Sequence, residues 1–107
     1  MTRHYRILED AENELFNAAK YHEEQRAGLG HAFFDEYDVI IEHALAFPTA
    51  GKSVTIESSF AVRCFQMRRF RYAVFVALVD DSLVVLSVSH HKREPAYWAG
   101  RTGKASR

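Results

Sequence analysis

The side chains able to do chemistry gather in the last half of the chain. Arg63, Arg68, Arg69 and Arg71 precede a valine-rich stretch, and His90, His91, Lys92, Arg93, Glu94 and Tyr97 follow it. Guanidinium and imidazole groups at the two ends of an apolar run suit anion binding. They could also serve RNA cleavage by 2′-hydroxyl attack. That reaction needs a base for the hydroxyl, cations for the phosphorane charge and an acid for the leaving 5′ oxygen. Arginine is a poor base at its ordinary pKa, and residues 53–91 contain no lysine. His91 or Glu94 would therefore have to take the proton. Duller readings stand beside these. The arginines could form a solvated rim, pair with acids of residues 9–42, or face an anionic protein. His90 and His91 could be a polar strand end, and Trp98 a core residue rather than a stacking platform for a base.

Other chemistry finds little support. Adjacent His90 and His91 on a strand end point to opposite faces and cannot share a metal. No further histidine or cysteine falls at zinc-site spacing, so neither a metal nor a cofactor is expected. The glycines match no phosphate-binding or dinucleotide fingerprint. Net charge is zero, but residues 63–107 carry nine of the 14 basic side chains against three acids, so positive potential is local. Cys64 is the only cysteine, which fits a reducing compartment. The N-terminus lacks an apolar leader, and the apolar run at residues 74–79 is far too short to span a bilayer. The expected location is the cytoplasm, with no membrane association.

The elements that must position these groups follow from periodicity. At 107 residues the chain is one domain. Tyr5 to Leu8 reads as a short strand. Ala11, Leu15, Ala18, Ala19 and His22 recur at helical spacing, with Glu9 or Asp10 as N-cap. Gly28-Leu29-Gly30 breaks this helix. A second stripe, from Leu29 through Phe33, Tyr37, Ile40, Ile41 and Ala44 to Phe47, predicts another helix, ended by Pro48. Two helices so closely joined should form an antiparallel hairpin. A weak strand is expected at Ser53 to Ile56, then strands at Phe60 to Gln66, Tyr72 to Val79 and Leu83 to Ser89. Asp80-Asp81-Ser82 turns the last pair into a β-hairpin. The reading is an α+β domain of order β-α-α-β-β-β over residues 1–98, its helical hairpin on one face of a mainly antiparallel sheet. Residues 99–107, without periodicity, are expected to be a mobile tail.

Several short patterns occur in a fixed order. The first helix has A-x-x-E-L-x-x-A-x-x-Y (Ala11, Glu14, Leu15, Ala18, Tyr21). G-L-G and an aromatic-rich helix ending in Phe47-Pro48 follow. Then come Val62-Arg63, R-F-x-Y (Arg69, Phe70, Tyr72), and H-x-x-R-x-P-x-Y-W (His90, Arg93, Pro95, Tyr97, Trp98). Together they resemble the RelE/ParE family of type II toxin–antitoxin toxins across residues 4–101, and the ParE-like branch in particular. The resemblance implies a toxin held inactive by a cognate antitoxin and directed at DNA gyrase without enzymatic activity. RelE-like members instead cut messenger RNA on the ribosome. On that alternative the working residues would be Arg63, His91, Arg93 and Tyr97, although the expected lysines have no counterpart here. A third alternative is a toxin-fold interaction module. Target binding is expected at Arg63, Arg69, Arg71, His90, Arg93 and Tyr97, and antitoxin binding at Phe16, Tyr21, Phe34 and Tyr37. Arg63 is expected on the open sheet face, provided Val62 and Cys64 face the helices.

Overall fold

The structure, a computed structural model, describes residues 4–94 and 96–105. The chain runs β1 (His4–Ile7), α1 (Glu9–Gln25), α2 (Leu29–Ala46), a 3₁₀ turn at Pro48–Ala50, then β2 (Lys52–Val54), β3 (Ala61–Gln66), β4 (Tyr72–Val79) and β5 (Ser82–His90). A second 3₁₀ segment covers Ala99–Lys104. The five strands form one sheet in the order β1-β5-β4-β3-β2, with β1 parallel to β5 and the other pairs antiparallel. This is the α+β arrangement the periodicity predicts.

Differences lie at the element ends. The first helix begins at Glu9, with Leu8 rather than an acid in the N-cap position. The cause is continuity with the sheet: the Leu8 N–H donates to the Val85 carbonyl (3.1 Å), extending the β1–β5 ladder up to the helix. Glu9, Asp10 and Glu12 then lie in the first turn, where they favour the positive end of the helix dipole. The two glycines of the inter-helix turn have separate tasks. Gly28 adopts φ 93°, open to glycine at no steric cost, while a Cβ on Gly30 would stand 2.9 Å from the Ala19 carbonyl oxygen. The weak strand falls at Lys52–Val54 rather than at residues 53–56.

Both sheet faces are covered. Beneath the helices, Phe33, Ile40 and Ile41 of α2 meet Val74, Val76, Leu83, Val85 and Val88. On the other face Val62, Ala77, Val84 and Leu86 meet Trp98 and Ala105 of the C-terminal segment. Residues 99–105, expected to be mobile, thus lie against the sheet, and Ala105 is fully buried. Residues 106–107, also assigned to the tail, fall outside the described residues. A bulge helps to fit β5 between the two layers. Phe75 pairs with Ser87 but Val76 with Val85, so Leu86 is an extra residue. It shifts the phase of alternation by one, sending Ser87 and Ser89 to the outer face and Val88 to the helices. Unbroken alternation from Leu83 would have put both serines beneath the helices.

Candidate functional site

At the end of the sheet where β5 stops, the outer face carries a cleft of about 250 Å³. Its walls include Gln66, His90, His91, Arg93, Tyr97 and Trp98. The chain turns sharply after β5, the Arg93 N–H donating to the His90 carbonyl (3.0 Å). That turn swings Arg93 back over the sheet, its guanidinium 3.9 Å from the centroid of the Tyr97 ring. A guanidinium so placed gains from the ring's negative face. His91 Nε2 donates to Gln66 Oε1 (2.6 Å), because an amide oxygen can only accept. Nδ1 is therefore the basic nitrogen of a neutral His91 ring. Pro95, between Arg93 and Tyr97 in the sequence pattern, lies outside the described residues.

Tyr97 is the best-anchored member. Its hydroxyl donates to Glu14 Oε2 and accepts from Ser89 Oγ (3.1 Å), with Ser87 Oγ also within 3.2 Å. Glu14 is a hub. Its Oε1 accepts from the Ser87 hydroxyl (3.0 Å), from the Val88 backbone N–H (3.1 Å) and from Arg101 Nη1 (2.8 Å). Arg101 Nη1 also donates to the Leu86 carbonyl (3.0 Å). The pair thus occupies backbone groups of β5 beyond β1, whose ladder ends at Val85. An acid and a base do there what a neighbouring strand would do. Burial works against the Arg101 charge, but the bond and charge of Glu14 outweigh it and raise its pKa.

The remaining expected residues divide by location. Arg63 pairs with Val76, which packs beneath the helices, whereas Val62 belongs to the outer cluster. Arg63 therefore points to the helix side and not to the open face. It donates to the carbonyls of Thr49 (3.3 Å) and Gly51 (3.1 Å), while its Nε is buried with no partner among the described residues. The condition attached to its expected position fails because Val62 and Cys64 face away from the helices. Arg69 and Arg71 line a different hollow, on the helix side, which shares only His90 with the cleft. The structure thus gathers His91, Arg93 and Tyr97, leaves Arg63, Arg69 and Arg71 elsewhere, and sets the His90 ring against Tyr72 on the helix side (5.0 Å).

The expected antitoxin-binding aromatics also divide. Phe16 and Tyr21 are more than half exposed, and Phe34 is half-buried with its ring edge-on to Phe16 (5.4 Å). Tyr37 is a core residue whose hydroxyl meets that of Tyr5 (2.6 Å). Burial pushes the Tyr37 hydroxyl far above its ordinary pKa. Val39, which the sequence pattern does not mark, and Phe47, expected at the end of the apolar stripe of the second helix, are both exposed.

Glu14, Ser87, Ser89 and Arg101 were also missed as a group. A signal existed for the first three. Glu14 sits three residues after Ala11 and four before Ala18, inside the apolar stripe, and the two serines interrupt an otherwise aliphatic strand. Arg101 had none. Among the described residues no group of three or more His, Cys, Asp or Glu is placed to hold a metal ion, and no helix is long and apolar enough to cross a membrane. No family model matches the chain, and no curated protein matches it.

Proposed function

We propose that this protein is a toxin of a type II toxin–antitoxin module, a ParE-like inhibitor of DNA gyrase acting in the cytoplasm and neutralised by a cognate antitoxin. The observation that carries the target reading is the pairing of Arg93 and Tyr97. An exposed guanidinium is held over a ring whose hydroxyl is already committed to Glu14. Such a group can meet an anionic protein surface, and the engaged phenol is poorly placed to donate a proton to a leaving group. The exposed Phe16 and Tyr21, joined by Val39 and Phe47, give an antitoxin apolar surface to cover. One observation favours ribosome-dependent cleavage of messenger RNA as the second reading: the imidazole of His91, oriented by Gln66, lies in the same cleft as Arg93.

Purified protein added to gyrase should inhibit supercoiling while messenger RNA on translating ribosomes stays intact. Cleavage in the ribosomal A site with supercoiling unaffected would move the assignment to the second reading. Neither effect, with no growth arrest, would leave an interaction module of the same fold. Paired variants sharpen this. Arg93→Ala should abolish growth inhibition while changing stability by no more than about 0.5 kcal/mol, the usual range for surface changes. Arg63→Ala should cost about 1–2 kcal/mol through two lost charge-assisted bonds, with growth inhibition falling only as far as the folded fraction does.

A further inference from the structure

The hollow on the helix side of the same sheet end lies apart from the Arg93–Tyr97 cleft, shares Tyr21 with the proposed antitoxin surface, and has a chemistry of its own. It is an open hollow of about 450 Å³. The last two turns of α1 supply Tyr21, His22 and Gln25, and the β3–β4 turn supplies Arg69 and Arg71. Among the described residues no carboxylate lines it. The nearest acid on α2, Glu36, is spent on the main chain: its carboxylate accepts the backbone N–H groups of Arg68 and Arg69, the latter at 3.1 Å. That fixes the turn from which Arg69 and Arg71 extend. Among the described residues neither Arg69 nor Arg71 forms an ion pair. His90 senses the same field. Burial first, then Lys92, His91 and Arg71, lower its pKa. Its Nδ1 accepts the Lys92 N–H (3.0 Å), so the neutral ring carries its hydrogen on Nε2.

The apolar half of the hollow is equally specific. Tyr21 is 56% exposed, and its one ring contact among the described residues is a perpendicular one to His22 (5.3 Å, 88°). A single such contact leaves at least one face of the phenol open to a planar ring. His22 itself is immobilised. It stacks on Phe33 (5.3 Å, 18°), and its Nδ1–H donates to the Ala18 carbonyl (2.7 Å). Gln25, one turn from Tyr21 on α1, offers an amide with both donor and acceptor. Two guanidiniums without an ion pair among the described residues, Arg69 resting over the Phe70 ring (5.7 Å), an open aromatic face and an amide are what a phosphorylated nucleoside needs for its phosphate, ring and base edge.

We propose that this hollow binds a nucleotide, with Arg69 and Arg71 on the phosphate, Tyr21 stacked on the base and Gln25 at the base edge. Free nucleotide and the 5′-phosphorylated end of a single strand share this chemistry. Titration calorimetry of the full chain with adenosine 5′-monophosphate, inorganic phosphate and a 5′-phosphorylated tetranucleotide tests it. The nucleotide should bind at least roughly tenfold more tightly than inorganic phosphate, since stacking of one base is worth about that factor or more. Arg69→Ala with Arg71→Ala should weaken both ligands roughly tenfold or more. Tyr21→Ala should weaken only the nucleotide, Tyr21→Phe should restore it, and Lys52→Ala, a cation removed outside the hollow, should change nothing. A tetranucleotide preference assigns the site to a strand end, and equal affinity assigns it to free nucleotide. Nucleotide binding no tighter than phosphate, or a loss with Lys52→Ala equal to that with the arginine variant, would overturn the proposal.

Discussion

Two carboxylates on α1, nine positions apart, fasten the two layers that cover the sheet, and they do so differently. Glu23 stands in solvent at the end of the helix and accepts the backbone N–H groups of Gly28 and Gly30, closing the turn into α2. Glu14 is largely buried and gathers Val88, Ser87, Tyr97 and Arg101, fixing the C-terminal segment to the edge of β5. The helical layer would have a large apolar interface without Glu23. The outer layer has far less, chiefly Trp98 and Ala105, so its polar fastening carries a larger share. A layer with its own apolar periodicity needs only a clip; a short aperiodic segment depends on a bonded hub.

The largest test asks whether the outer layer is a core at all. Trp98 is buried, with its ring 4.5 Å from that of Phe75. Truncating a buried Phe or Trp to Ala costs roughly 3–5 kcal/mol. Trp98→Ala should therefore shift the urea midpoint as far as Phe33→Ala does beneath the helices. A loss below about 1 kcal/mol, the range of surface changes, would mean that the C-terminal segment is an ornament and that the comparison fails.

Next is the hub. Glu14→Gln removes the charge and turns one acceptor into a donor facing Arg101 or Tyr97. Donors left unpaired and partly buried should cost about 2 kcal/mol, less than the roughly 3–5 of a fully buried broken pair. Amide exchange at Val88 should speed up in the same variant, because its N–H loses a charged acceptor. Adding Arg101→Met should recover part of the loss, since removing both members of a buried pair costs less than removing one. Strict additivity of the two substitutions would show that Glu14 and Arg101 act independently and that there is no hub.

These differences also explain what was legible beforehand. Helical spacing of Ala11, Leu15, Ala18 and Ala19, the G-L-G break, Pro48 and the valine-rich hairpin marked the helical layer and the strands, because each is a local property of consecutive residues. The face assignment of Arg63 was not local. It depended on which alternate set of β3 met the helices, and the sequence near Arg63 offers apolar neighbours on both sides. The phase shift at Leu86 was likewise invisible, since a bulge is fixed by pairing with β4 and not by β5 alone. His91, Arg93 and Tyr97 are legible as a group because they follow one strand end, whereas His90, the last residue of that strand, turns to the opposite face. Arg101 lies in an aperiodic stretch, and its partners, Glu14 on α1 and Leu86 on the edge of β5, are 87 and 15 residues away.

The smallest effect separates the two fastenings by pH and salt. Hydrogen bonds from Gly28 first, then Gly30, hold the Glu23 carboxyl below its ordinary value of 4.5. In the outer layer the hydrogen bond and charge of Lys104, aided by Arg101, hold Asp10 below its ordinary 3.8. A folded pKa below the unfolded one gives stability that is present above the unfolded value and lost as pH falls through the folded value. Glu23→Gln should thus lower the urea midpoint slightly at neutral pH, and the gap from the parent should close as the solution is acidified below about pH 4.5. The acid loss that remains in Glu23→Gln should shrink on adding Asp10→Asn. Salt then distinguishes them. Asp10 owes much of its shift to charge–charge attraction in solvent, which about 0.5 M salt screens almost fully. Glu23 owes its shift to backbone donors that salt hardly weakens. The neutral-pH cost of Asp10→Asn should therefore fade in salt while that of Glu23→Gln persists. Equal fading of both would mean that Glu23 acts through the positive end of α2 or through His31 rather than through its two backbone bonds, and that the clip is electrostatic after all.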